Sequence, residues 1–290
     1  MTIRLPAVAG QFYEGKEDHL RKEIENSFLH RLGPGKLSDQ KGTTRLLKAV
    51  VSPHAGYIYS GPVAAYTFSE IFKDGEPEVF VILGPNHHLA GETIAVWSRG
   101  SWKTPLGEIM IDERVADAII SQSRYAEADE HAHKHEHSIE VQLPFVQYLF
   151  PHAKFVPISM KAGPLSQRQV KETWERSTEV GRAVAGALDK IGIDGLVIAS
   201  SDFTHFESAR SAQSKDYEAI EKILALDDEG FVQTVYNRNA SICGYAPIVA
   251  SMAFAKEKGA KSGKLMKYTT SGDVTGDYGH VVAYSSIIFQ

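Results

Sequence analysis

The sequence predicts an α/β fold: one domain over residues 1–290, with a central, mostly parallel or mixed sheet flanked by helices. Three observations carry this. Short, wholly apolar runs such as VFVILGP (Val79–Pro85) have the composition of strands buried on both faces, as in parallel sheets. Helix-period segments separate those runs, which is the alternation of βαβ units. No composition break, long linker or internal repeat divides the 290 residues.

The elements follow in order. Residues 16–30 have the spacing of an amphipathic helix, and 32–44 (LGPGKLSDQKGTT) reads as a loop. LLKAVVSP (46–53) is the first core strand, closed by a proline, and 61–72 is helical. Val79–Pro85 is the second core strand. Residues 94–97 and 108–111 read as a small hairpin or edge pair, and Asp112 caps a helix reaching about residue 121. Residues 138–150 form an amphipathic helix with Pro144 near its first turns. FVPISM (155–160) is the third core strand, and a long helix over 166–191 has Ser166 as its N-cap. GLVIASS (195–201) is the fourth. Helices follow over about 211–225, 228–237 and from Pro247, and LMKYTTS and HVVAYSSIIF return the chain to strand.

Composition narrows the function. Hydrophobic residues make up 43% and charged residues 23%, which excludes disordered and fibrous classes. A net charge of −5 argues against nucleic acid or an anionic membrane as the main partner. No apolar run approaches the roughly 18 residues of a membrane span. Pro6 interrupts the N-terminal segment where an export signal would need its apolar stretch, so export is not expected. The single cysteine, Cys243, rules out an intrachain disulfide and fits a reducing cytoplasm.

Twelve histidines accompany that cysteine, and their placement is informative. Ligands of open α/β sheets sit beyond the carboxyl ends of the strands. The first core strand delivers His54, the second His87 and His88, and the fourth Asp202 and His205. Histidine is 12 of 290 residues, so finding it after three of four core strands favours a site over chance. His54 lies in a tight turn, PHAGYIYSG. His87 and His88 are adjacent, so one is expected in the site and the other beside it. Cys243 lies just ahead of the helix at Pro247, where the positive end of the helix dipole favours thiolate, the form that binds metal or attacks a substrate. Asp202 and His205, three apart, are read as an orienting carboxylate and a general acid/base. The run HAHKHEHSIE (131–140) lacks zinc-ligand spacing. His131, His133 and His135 are therefore expected in a solvated loop, while Glu136, His137 and Glu140 can point inward.

These residues also carry a family resemblance. AGQFY (9–13), PHAGYIYSG (53–61), LGPNHH (83–88), EHSIEVQLPF (136–145), SSDFTH (200–205), ICG (242–244) and SGDVTGDYG (271–279) resemble the Memo family, in family order and across almost the whole chain. That family is similar in fold to the LigB-type subunit of class III extradiol dioxygenases, which are non-haem iron enzymes. The resemblance implies a metal site of His54, His87 and Cys243, with Asp202 and His205 beside it. The dioxygenases hold Fe(II) with two histidines and a carboxylate. His54 and His87 match that pair and His205 matches the acid/base histidine, but Cys243 takes the carboxylate position. The swap keeps the ligand charge and changes its softness toward Cu(I), Zn(II) or a thiolate-bound Fe(II), so ring cleavage does not carry over. The resemblance further implies iron or copper handling and redox chemistry. Eukaryotic members are associated with phosphotyrosine-peptide binding and cell motility, and prokaryotic members with AMMECR-type and radical SAM proteins as partners.

Three functions compete on the sequence. The first is a metal-dependent oxidoreductase with Fe(II) or Cu(I), or Zn, on His54, His87 and Cys243, and His205 as acid/base. The second is a non-catalytic peptide-binding or scaffold module on the same fold, which basic pocket residues would support. The third is a hydrolase or transferase with Cys243 as nucleophile, His205 as base and Asp202 as orienter.

Overall fold

The apolar runs of the sequence form the middle of one twelve-stranded sheet. The computed structural model describes residues 2–163 and 166–290. Its strands are β1 (Ile3–Arg4), β2 (Ala49–Ser52), β3 (Val79–Pro85), β4 (Ile94–Val96), β5 (Ser101–Thr104), β6 (Gly107–Ile111), β7 (Ala126–Ala128), β8 (Lys154–Met160), β9 (Gly195–Ser200), β10 (His205–Glu207), β11 (Gly263–Thr270) and β12 (Val281–Phe289). Its helices are α1 (Glu17–Leu29), α2 (Tyr57–Asp74), α3 (Glu113–Gln122), α4 (Leu143–Leu149), α5 (Gln167–Ile191), α6 (Ala209–Leu224), α7 (Asp228–Arg238), α8 (Tyr245–Glu257) and α9 (Gly272–Thr275). The main strand order is β1-β5-β6-β8-β3-β9-β2-β12-β10, with β11 beside β12 and β4 joining β8 to β7.

The four core strands β8, β3, β9 and β2 lie side by side and parallel, with Leu83 opposite both Ile158 and Ala199 and Val51 also opposite Ala199. Every residue of β2, β3 and β9 is buried, which is why these strands read as unbroken apolar runs. Burying each Val, Leu or Ile side chain contributes roughly 1.5–3 kcal/mol, so this block is the thermodynamic centre of the molecule. β12 closes it by pairing antiparallel with β2. Helix α8 packs on β9, β2 and β3, and α5 packs along α8. No helix among the described residues is long and apolar enough to cross a membrane.

Several local expectations hold and others shift. The Asp112 carboxylate caps α3 by accepting from Val115 N–H at 3.1 Å, and Ser166 and Gln169 form a reciprocal capping box on α5. The hairpin is β5–β6, joined through TPLG, whereas 94–97 pairs with β7 and β8 instead of 108–111. Helix α2 starts at Tyr57 rather than 61, leaving Pro62 inside it. Its first turn is fixed from outside, by Tyr57 N–H donating to Phe12 C=O at 2.7 Å and Ser60 Oγ donating to Ala55 C=O at 2.7 Å. The carbonyl that Pro62 cannot serve belongs to Ile58, an exposed residue that water can reach. Helix α8 starts two residues before Pro247. Residues 138–150 are helical as α4 only from Leu143, after a 3-10 turn at Glu140–Gln142.

Candidate metal centre

Because β3, β9 and β2 are parallel neighbours, the segments leaving their carboxyl ends meet. Ser52 leads through Pro53 to His54, Pro85 through Asn86 to His87, and Ser200 through Ser201 to Asp202. The fourth contributor is the loop before α8. Gly244 lets it pack against the end of β9, since a Cβ there would lie 2.4 Å from Ser200 O and from Ser201 Cβ. This contact brings Cys243 Sγ to 3.3 Å from His54 Nε2 and within reach of the Asp202 amide, also 3.3 Å. Ligand atoms of His54, His87 and Cys243 all lie within 4.8 Å of one another.

Hydrogen bonds set the imidazoles. Ser200 Oγ donates to Ser138 C=O at 2.7 Å and accepts from Gln142 Nε2 at 2.9 Å. Its only proton is therefore engaged, so its 2.9 Å contact with His54 Nδ1 requires Nδ1 to be the donor. His54 Nε2 is left as a lone pair facing Cys243. His87 Nδ1 lies 2.9 Å from Glu136 Oε1, so it too donates and leaves Nε2 free. His205 Nδ1 donates to Ser241 C=O at 2.8 Å, again freeing Nε2. In the neutral ring all three histidines thus carry the proton on Nδ1 and present Nε2, the arrangement that hydrogen-bonding partners enforce on metal-binding imidazoles.

Glu136 is fully buried and collects the His87 side chain, the His87 amide at 2.6 Å and the His137 and Ser138 amides at 2.9 Å. Burial opposes its charge, but these partners, the His87 hydrogen bond first, hold the carboxyl well below the usual range. Burial alone would lower His87; the Glu136 hydrogen bond and charge raise it overall. The His137 ring stacks on His87 at 4.6 Å and lies 4.9 Å from Phe12; burial lowers its pKa to about 4. His87, Glu136 and His137 form a second group of ligand atoms within 4.8 Å.

Asp202 lies beside the cluster, but its Oδ1 accepts from the His54 amide at 2.8 Å, and the orienting contact of His205 is Ser241. Asp202 is buried, which raises its pKa. The thiol departs from the helix-dipole expectation. Desolvation first, and then the Asp202 charge, push its pKa up, so Cys243 is a thiol until a cation arrives. Burial and the neighbouring His87 and His137 push His54 well down. A neutral thiol facing a neutral imidazole lone pair, with a second lone pair nearby, is a donor set ready to exchange one proton for a metal ion. The spread of the three donors suits bonds of about 2.0–2.3 Å after small side-chain adjustment, and these residues fit a soft or borderline metal ion. Cys243 meets His54 rather than His205, the base of the nucleophilic reading.

The remaining histidines divide unexpectedly. His131 and His135 are exposed, and His88 Nε2 bonds His135 C=O at 2.9 Å, leaving His87 as the site member of the adjacent pair. His133, expected in a solvated loop, is fully buried: its Nε2 donates to Ala95 C=O at 3.0 Å and its ring packs on Trp97 and Trp102. A 3-10 turn over His131–His133 points it inward, a geometry the alternating pattern does not announce. The sequence pattern does not mark Ser200, Gln142 and Ser241 as supports, although Ser200 stands in the same SSD segment as Asp202.

Fold and cluster together define an α/β protein with a His–His–Cys constellation at adjoining strand ends. The chain belongs to the Memo family: the family description that matches, Memo-like protein, covers residues 4–288. It is 45% identical over 288 residues to a MEMO1 family protein of Methanopyrus kandleri, covering 99% of both chains. It is 43% identical over 285 residues to one of Methanothermobacter thermautotrophicus, covering 98% of this chain and 99% of the relative. A Sulfurisphaera tokodaii member is 45% identical over 292 residues, with 99% of both chains covered.

Proposed function

We propose that this Memo family protein is a metal-dependent oxidoreductase of the cytoplasm, related in chemistry to the non-haem iron enzymes its sequence resembles. The observation that carries the reading is the shared tautomer of His54 and His87, whose Nε2 lone pairs stand with Cys243 Sγ in one cluster. A bound Fe(II) or Cu(I) would supply one-electron redox chemistry and a place for substrate to coordinate. His54, His87 and Cys243 would hold it, two neutral imidazoles and one thiolate leaving a single positive charge on a divalent ion. Glu136 holds the proton of the neutral His87 ring on Nδ1 and so directs Nε2 toward the metal, and Ser200 does the same for His54. His205 is the proton carrier: Ser241 fixes its ring, and its free Nε2 can take a proton from a substrate hydroxyl. Asp202 acts by position, holding the turn that carries His54.

Metal analysis of protein purified without chelator tests this. About one iron or copper per chain is expected in the wild type, falling to trace levels in Cys243→Ser and His87→Ala. The comparison is made with His88, His131 and His135 replaced by alanine, which removes adventitious surface binding. Equal metal in all three proteins would overturn the ligand assignment.

A further inference from the structure

A cavity of about 510 Å³ opens beside Cys243 and His87, within the size range of small-molecule sites. Its walls come from the segments after β3 and β8 and from the end of α7 through to the start of α8. Taking the His54–His87–Cys243 cluster as the reactive centre, we propose that this cavity seats an uncharged, hydroxyl-bearing organic substrate, with Leu89 selecting for its apolar body.

The walls exclude charge. Among the described residues no Asp, Glu, Lys or Arg lines the cavity; Leu89, Val235 and Ile242 do, with the rings of Tyr236 and Tyr245. The Tyr245 hydroxyl is occupied, donating to Gly163 C=O at 2.6 Å, so this residue offers its ring face. A carboxylate or phosphate entering here would lose hydration and, His87 apart, meet no cationic side chain among the described residues.

One polar side chain of the wall carries a buried acceptor without a partner. Asn86 lines the cavity and donates through Nδ2 to Ala90 C=O at 2.8 Å, while its buried Oδ1 has no partner. A buried carbonyl left unpaired is destabilising, and a substrate O–H that reached it as Asn86 shifts would satisfy it.

Leu89 is the least comfortable residue of the wall. It is 58% exposed and takes a φ of +53°, a left-handed conformation disfavoured for a side chain of this size. Both features are explained if its side chain forms the outer wall over a bound apolar body.

The test titrates 4-methylbenzyl alcohol and 4-methylbenzoate, two probes of one skeleton, into metal-free and iron-loaded protein. Methyl NMR follows Leu89, Val235 and Ile242. In metal-free protein the alcohol is expected to perturb those methyls and to bind at least about tenfold more tightly than the anion. Leu89→Gly should weaken alcohol binding without lowering the unfolding temperature, because glycine suits this backbone. Leu89→Lys should shift the preference toward the benzoate. Equal binding of the two probes, or shifts lying outside the cavity, would overturn the substrate class. Unchanged affinity in Leu89→Gly would overturn the role of Leu89. Iron uptake unaffected by Cys243→Ser would defeat the reactive-centre reading alone, since the charge preference is read without metal.

Discussion

Glu136 makes four contacts that converge on one purpose, holding the backbone and ring of His87 while fixing the start of the 137–138 segment. Glu136→Gln keeps the volume and loses the charge, so His87 can flip its tautomer and present N–H toward the metal. Metal affinity is expected to fall about 10–100-fold, the usual effect of removing such a support, as measured by competition with a chromophoric chelator. Unchanged affinity would mean that Glu136 serves only the fold. His54, His87, Asp202 and Cys243 were legible in the sequence because strand ends and a helix start locate them locally. Their supports were not, because Ser200 lies 146 residues from His54, Glu136 49 from His87 and Ser241 36 from His205. The thiol's protonation departs from the sequence pattern for a related reason: the helix start is visible in sequence, whereas the burial that outweighs it is tertiary.

Helix α5 shows the same division between local and tertiary signals. Its start was readable because a capping box is a matter of four consecutive residues, and its end at Gly192 adopts the left-handed C-cap expected of glycine. Its closest packing was not readable. At Gly181 a Cβ would lie 2.1 Å from Ala250 O and 2.9 Å from Ala253 Cβ, so α5 and α8 approach as closely as they do only because a side chain is missing. The obstacle is backbone and cannot rotate away. Gly181→Ala is therefore expected to destabilise the protein by about 1–3 kcal/mol despite alanine's better helix propensity, read as a lower denaturant midpoint. Because α8 begins two residues after Cys243, the same variant should loosen metal binding; an unchanged midpoint would show that the helices separate without cost. The β5–β6 hairpin makes a milder case: TPLG was a turn signal in plain view, yet the apolar run at 94–97 drew the pairing to the wrong partner.

At the scale of the molecule, the N-terminal segment ties the far edge of the sheet to the cluster. Glu140, fully buried, accepts from Arg4 Nη1 at 2.6 Å, the Ala7 amide at 2.7 Å, the Val8 amide at 3.0 Å and Tyr13 Oη at 2.7 Å. Arg4 also donates to the carbonyls of His133 and Glu136 and stacks over Trp102 at 4.1 Å. Phe12 completes the strap against His137. His133 is the acid-sensitive point of this assembly. Burial first, and the Arg4 charge with it, lower its pKa to about 4, although the Ala95 carbonyl works the other way. An unfolded chain binds a proton at this histidine near pH 6.5, so between about 6.5 and 4 the unfolded state binds more protons than the folded one. Stability from keeping His133 neutral is complete above pH 6.5 and is lost progressively as the pH falls toward 4, to a total of about 3 kcal/mol. His54 and His137, both lowered by burial, slope the same way, so the contribution must be isolated by difference. Urea midpoints of wild type and His133→Asn at pH 7.5, 6.0 and 5.0 provide it. The variant is expected to be less stable at pH 7.5 through lost packing on Trp97 and Trp102, with the gap narrowing at pH 5.0. A gap that stays constant or widens on acidification would show that His133 takes up its proton in the folded protein as readily as in the unfolded chain.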